Sequence, residues 1–296
     1  GAGGTGFCAW GSSVEYERGR RQHKFVAAAV AGAGRPSSRF LDKRPSEVYG
    51  VDVIKSPGTL KKQGRAGEKG SGKEMNRFTV LNEEEIASVL EMDMVVEAVE
   101  QAYADKCSNL AELFPIVCHS FEDGVSEFDI KSGSMDGAGI FGMKLVSAFA
   151  GNSERNLPRL TGTILIFDRA TGMLKSMMDG GLITNMRTGA AGAVGCKYLA
   201  RPESEVLLLV GTGAQGPVLL DATLRVMKHL KQILVANPHS PHKVAPFLAR
   251  IRGNVPADVE LLEAEVLKTA AERADIILTA TPSRSALIRS EWVKPG

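Results

Sequence analysis

The chain has 296 residues, 44% hydrophobic and 24% charged, enough apolar material for a large core and for two domains. No apolar run approaches the roughly 18 residues a membrane span requires, and four widely spaced cysteines (Cys8, Cys107, Cys118 and Cys196) contain no C-x-x-C pair, which argues against a zinc site or disulfide framework and for a reducing compartment, the cytoplasm by default. The net charge of +2 is uneven: residues 1–74 hold 14 Lys and Arg against 7 Asp and Glu, so the remainder is net −5 and the basic balance is no argument for nucleic-acid binding.

Residues 1–74 are rich in Gly, Ser, Lys and Arg and lack any sustained period of 2 or 3.6, so a disordered basic leader is expected there. It reads either as a targeting segment or as sequence without a role, and the second reading is preferred; on it, the leader is dispensable. The first methionine, Met75, stands immediately before well-patterned sequence. Asn82 followed by Glu83, Glu84 and Glu85 marks a helix start, and Asp93 with MVVEAVEQAYADK marks a second, amphipathic helix. Strand-like segments follow at Phe128 to Ser132, Gly139 to Ala150, Gly162 to Asp168 and Met173 to Asp179, the last two joined by RATG with Gly172 available for positive φ. Strands without intervening helices predict an antiparallel or mixed sheet in a separate α+β layer.

A helix is predicted from Thr184, its expected cap, to Leu199. Gly189, Gly192 and Gly195 recur three apart in it, and since glycine costs a helix about 1 kcal/mol relative to alanine, a close-packed neighbour is expected. Then VLLLV (206–210), with no polar alternation, reads as a strand buried on both faces and runs into GTGAQG, where Gly211, Gly213 and Gly216 fit G-x-G-x-x-G. Leu219, Ala222, Thr223, Val226 and Leu230 continue at helical spacing, and Gln232 to Ala236 is the next strand, so the glycines sit in a βαβ unit. There the first glycine permits the turn, the second lets backbone approach a pyrophosphate, and the third allows close helix packing. Asn237 stands where an acid would take the ribose hydroxyls of NAD. No acid occurs between Asp221 and Asp258, while His239, His242 and Lys243 do, which favours NADP over NAD. Val259 to Leu262 and Asp275 to Thr279 complete four parallel strands.

Three cations could carry chemistry. Lys144 shares a strand face with Gly142, Val146 and Ala148, so it reads either as a lysine on a wet edge or as a desolvated ammonium facing a ligand. Lys131 poses the same choice, with Glu127 and Asp129 nearby favouring an ordinary exposed strand. Arg187, three residues after the expected cap, falls in the first turn of its helix, where a cation is disfavoured unless an anion is shared. It reads as a two-pronged carboxylate grip or as an ion pair to Asp179 or Asp168. His119, His229, His239 and His242 read as surface residues.

KLVSAFAGN (144–152), LPRLTGTILIFDRATGMLKSMMDG (157–180), ITNMRTGAAGA (183–193), VGTGAQG (210–216), ADIILTATPS (274–283) and EWVKPG (291–296) together resemble the ornithine cyclodeaminase/mu-crystallin family, from about Met75 to the last residue. The resemblance implies an α/β fold: an α+β substrate and dimerisation domain over 75–200 and a Rossmann-type NAD(P)-binding domain over 201–296, usually as a homodimer without nucleic-acid or membrane partners. It implies that Lys144 and Arg187 face the substrate carboxylate and reacting carbon. Lys131 stands where other members often carry an arginine for the same carboxylate. The resemblance also implies that Gly211, Gly213, Ala214, Gln215, Gly216, Asn237, Thr281 and Thr188 hold the cofactor.

The function implied is conversion of a small amino acid, ornithine to proline plus ammonia, through an imine, with hydride removed from the α-carbon and returned. Net reduction of a ketimine or pyrroline carboxylate, alanine dehydrogenation, and NADPH-dependent binding of mu-crystallin type are the alternatives. Family members continue past the position of Gly296 into a strand and an aspartate-bearing loop. The nucleotide domain is therefore expected to be C-terminally incomplete, and the chain to bind cofactor weakly and turn nothing over.

Overall fold

The alternating segments after Met75 pair into one sheet and the continuous apolar ones into another, and a long helix runs between them. The computed structural model describes residues 78–121 and 125–295, so the expected leader lies outside the described residues. The first sheet takes β1 (Thr79–Leu81), β2 (Ala111–Leu113), β3 (Val117–Ser120), β4 (Glu127–Met135), β5 (Ile140–Ala148), β6 (Leu160–Asp168) and β7 (Leu174–Asp179). Its order is β1-β7-β6-β5-β4-β2 with β3 also on β4; the pairs are antiparallel except that β1 runs parallel to β7. Gly172, at φ 70°, makes the β6–β7 turn as read from RATG.

Helices α1 (Glu83–Ala87) and α2 (Met92–Cys107) precede this sheet's core strands. The first opens on a capping box in which Asn82 Oδ1 accepts from Glu85 N and Glu85 Oε2 accepts from Asn82 N. One sheet face buries Met135, Ile140, Ile164, Ile166 and Met178 against Ile86, Ala102 and Ile183. The opposite face carries Phe141, Met143 and Leu145 of β5 beside Leu165, Phe167 and Met177; none belongs to a buried cluster, and Leu145 and Met177 are each 38% exposed.

The second sheet is parallel throughout, ordered β10 (Glu260–Glu263), β9 (Gln232–Ala236), β8 (Val206–Val210), β11 (Ile276–Thr279). Leu207 and Leu209 point into one cluster with Leu220, Phe247 and Ile251, and Leu208 and Val210 into another with Ala270 and Ala271, so β8 is buried on both faces as its composition predicts. The helices covering these faces include α4 (Gln215–Val226), α5 (Val244–Ile251) and α6 (Leu267–Arg273).

Between the sheets lies α3 (Gly181–Leu199), packed with α2 and α4 around Val95, Val99, Met186, Ala190, Ala193 and Ala222. A Cβ at Gly189 would stand 2.5 Å from Val218 O, and one at Gly192 would meet the Leu219 side chain. Gly189 therefore lets α3 and α4 touch backbone to backbone, and Gly192 makes room for the Leu219 side chain.

Several expectations are corrected. Thr184 is not the cap: α3 starts at Gly181 after Gly180, because Gly180 N donates to Gly162 O at 2.8 Å and the two glycines leave no side chain between helix and sheet. Asp179 Oδ1 accepts from Gly181 N at 2.7 Å. Gly195 meets nothing within 4 Å and marks no close contact. Leu230 lies beyond α4, which ends at Val226. The strands β1, β2 and β3 have no counterpart among the expected elements; they are three or four residues long, and Val117–Ser120 is exposed throughout, so no alternation announces it.

Candidate active site

Cross-strand register assembles the first half of the site. Lys131 of β4 stands directly opposite Lys144 of β5, and in an antiparallel pair opposed residues share a face. That face is the one toward α3. Lys144 is only 2% exposed, beside fully buried Ile164 on β6, and its ammonium donates to Thr184 Oγ1 at 2.9 Å. The wet-edge reading of Lys144 is thereby excluded. Lys131 is ion-paired with Asp129, two residues away on the same strand face. Neither is an ordinary exposed strand residue: their side chains are 20% and 24% exposed.

Arg187 enters from α3. It forms no ion pair to Asp179 or Asp168; Asp168 instead caps its own turn through Thr171 and Ala170. With the helix beginning at Gly181, Arg187 lies in the second turn, so the first-turn argument from the helix dipole does not hold. Burial supplies the argument instead. Nε of Arg187 is shielded from water with no hydrogen-bond partner among the described residues. Desolvation pulls the guanidinium pKa down, and the Tyr103 phenol and Asp129 carboxylate offset it in part. Tyr103, on α2, has its own pKa raised by burial, with Arg187 acting in the opposite direction. Lys131, Lys144, Arg187, Asp129, Tyr103 and Thr184 therefore form one cluster between β4, β5 and the helices.

The second half lies at the C-terminal ends of β8, β9 and β11, where open α/β sheets hold ligands. Gly211 adopts φ 116°, and a Cβ there would collide with the Ala280 carbonyl beside Thr281, so the β8 and β11 loops touch. A Cβ at Gly213 would meet nothing within 4 Å, which leaves the backbone next to Ala214 open to a pyrophosphate. Gly216 is the close-packing glycine, with the Phe247 ring 2.9 Å from where its Cβ would be. Asn237 Nδ2 donates to Thr212 Oγ1 at 2.8 Å, tying the β9 loop to the glycine turn. The open backbone at the helix start fits a dinucleotide's pyrophosphate, and Asn237 stands in place of the acid that would take the ribose hydroxyls of NAD. Thr188 differs from the other expected cofactor residues, since its hydroxyl donates to Thr184 O within α3 at 2.7 Å.

One contact bridges the halves. Gln215 Nε2 donates to Asn185 Oδ1 at 2.7 Å, linking the glycine loop to α3 between Thr184 and Arg187. Gln215 Oε1 is shielded and unpartnered among the described residues, like Arg187 Nε and Asp129 Oδ1. All three such side-chain atoms found among those residues fall at this site, where ligand groups rather than protein groups would satisfy them. The sequence offers Thr184 only as a helix cap and gives Asp129, Tyr103 and Asn185 no part in the site. The alternation of Asp129 with Lys131 is the one available signal, and by itself it is equally the mark of an exposed strand face.

A four-stranded parallel sheet in the order third, second, first, fourth, with a glycine turn after its first strand, defines a dinucleotide-binding α/β protein of Rossmann type. The chain belongs to the ornithine cyclodeaminase/mu-crystallin family, which it matches over residues 77–296. It is 32% identical over 219 residues to the alanine dehydrogenase of Archaeoglobus fulgidus, across 73% of this chain and 64% of that protein. An archaeal alanine dehydrogenase dimer with bound NAD is similar in structure at TM-score 0.66 and 28% identity, over 73% of this chain and 64% of that one. The Thermococcus litoralis Δ1-pyrroline-2-carboxylate reductase in complex with NADH and L-proline gives TM-score 0.63 at 26% identity, over 73% and 66%. The chain thus spans about two thirds of the length of these relatives.

Proposed function

We propose that the protein is an NAD(P)-dependent enzyme acting on a small α-amino acid or its imine, of ornithine cyclodeaminase type. The observation that carries this is the pair of cations on facing elements, Lys144 at 2% exposure and Arg187 with a shielded, unpartnered Nε, next to a dinucleotide loop. Buried cations call for an anion, and a substrate carboxylate supplies one. Hydride removal from the α-carbon and its return to the imine is the chemistry the dinucleotide contributes when bound. Lys144 and Arg187 hold the carboxylate, and Thr184 fixes the Lys144 ammonium so that the α-carbon is presented in one orientation. NADP is favoured over NAD, because Asn237 is uncharged and bonded to Thr212, while His239, His242 and Lys243 are exposed on the loop beyond it. The outward face of the first sheet, with Leu145 and Met177 exposed, receives a second copy of the chain.

Single turnover with ornithine tests the chemistry. With the C-terminal segment that family members continue into supplied, proline and ammonia should form with no net change in cofactor, whereas residues 1–296 alone should turn nothing over. Net consumption of NADPH on Δ1-pyrroline-2-carboxylate, without cyclisation of ornithine, would assign a reductase. Tight cofactor binding with turnover of neither would favour a binding protein of mu-crystallin type. In fluorescence titration NADPH should bind more tightly than NADH; NADH tighter by tenfold would reverse the cofactor assignment.

A further inference from the structure

The carboxylate in the cation cluster has no part in the function proposed above. Asp129 lies on the helix-facing side of β4, in register with Val146 and on the same face as Lys131 and Lys144. Lys131 holds one of its oxygens, Oδ2. The other, Oδ1, is shielded from water and accepts no hydrogen bond from any described residue. A shielded carboxylate oxygen left without a donor is unfavourable, and where such an atom faces a ligand-binding cluster, a donor on the ligand is the expected partner.

An α-amino acid brings two groups with opposite demands: its carboxylate needs cations, and its nitrogen needs an acceptor. Lys144 and Arg187 meet the first demand. We infer that Asp129 Oδ1 accepts a hydrogen bond from the α-nitrogen of the substrate, as amine or as protonated imine, and that Lys131 is a positioning residue that aims the Asp129 carboxylate. This rests on the function proposed above and deepens it, since it names the atom that selects nitrogen at the α-carbon. An oxygen there with no hydrogen to donate, as in a 2-keto acid or a cyclic ether, meets the carboxylate lone pair against lone pair. The site is thereby built for amino and imino acids and against their oxygen analogues.

Two nearly isosteric ligands read this directly: L-proline and (S)-tetrahydrofuran-2-carboxylate, in which an ether oxygen replaces the ring nitrogen. Calorimetric titration of the full chain, saturated with oxidised NADP or NAD, should show proline binding about 10- to 100-fold more tightly. Asp129→Asn should bring the two ligands within about threefold of each other, and Arg187→Lys should weaken both together. Equal binding of both by the unaltered chain would overturn the inference while leaving the proposed function standing. Binding of neither would overturn the proposed function, and this inference with it. An unchanged ratio in an Asp129→Asn chain that melts at the unaltered temperature would likewise overturn the role given to Asp129.

Discussion

Arg187 is held with a shielded Nε and no ion pair among the described residues, an arrangement that proteins avoid unless a ligand completes it. Arg187→Lys keeps the charge but replaces a planar fork by a point charge on a different stem. Loss of one bidentate contact costs about 1.5–3 kcal/mol, so substrate binding should weaken roughly 10- to 150-fold while NADPH affinity, read by fluorescence, stays the same. An unchanged substrate constant would return Arg187 to a purely structural role. Arg187 and Lys144 were legible in the sequence because each is a cation set among small or apolar neighbours. Asp129 and Thr184 were not. What makes Asp129 part of the site is its place one step along from the Lys131 and Lys144 pairing, and register is fixed by the whole sheet rather than by local sequence.

Helix α3 shows the same division at the scale of an element. Its three spaced glycines announced a close neighbour, and two of them have one. Gly189→Ala would place a methyl 2.5 Å from Val218 O on α4, where backbone cannot give way cheaply, and should destabilise the protein by about 1–3 kcal/mol. Gly195→Ala meets nothing within 4 Å and should stabilise by up to about 1 kcal/mol through helix propensity alone. Denaturant melts of the two variants read the contrast, and equal effects would mean that α3 and α4 do not touch as described. The strand Val206–Val210 and its successor Gln232–Ala236 came out with the boundaries read from composition, because a strand buried on both faces is apolar along its whole length. The start of α3 did not, since it depends on Gly162 and Gly180 meeting across a sheet.

For the whole molecule, the proposed dimer rests on the outward face of the first sheet. Phe141 stacks on Phe167 at 4.9 Å between ring centroids, and Met143, Leu145, Leu165 and Met177 extend the same apolar surface. Leu145 and Met177 are exposed within it, and contiguous apolar residues left open on a sheet face suit contact with a partner. Leu145→Glu should shift sedimentation from dimer to monomer and leave NADPH binding intact; an unaltered protein that sediments as a monomer at micromolar concentration would refute the assignment. Inside the molecule the two sheets are gauged against one rod. Thr184, Asn185 and Arg187 leave α3 within about one turn, with Thr184 bonded to Lys144 on one side and Asn185 to Gln215 on the other, so the spacing between the two halves of the site is set by helical pitch, about 5.4 Å per turn. Changes on β4 and β5 can then re-specify the substrate without resetting that distance. On the function proposed above, substrate choice and cofactor spacing are therefore separable properties of this fold.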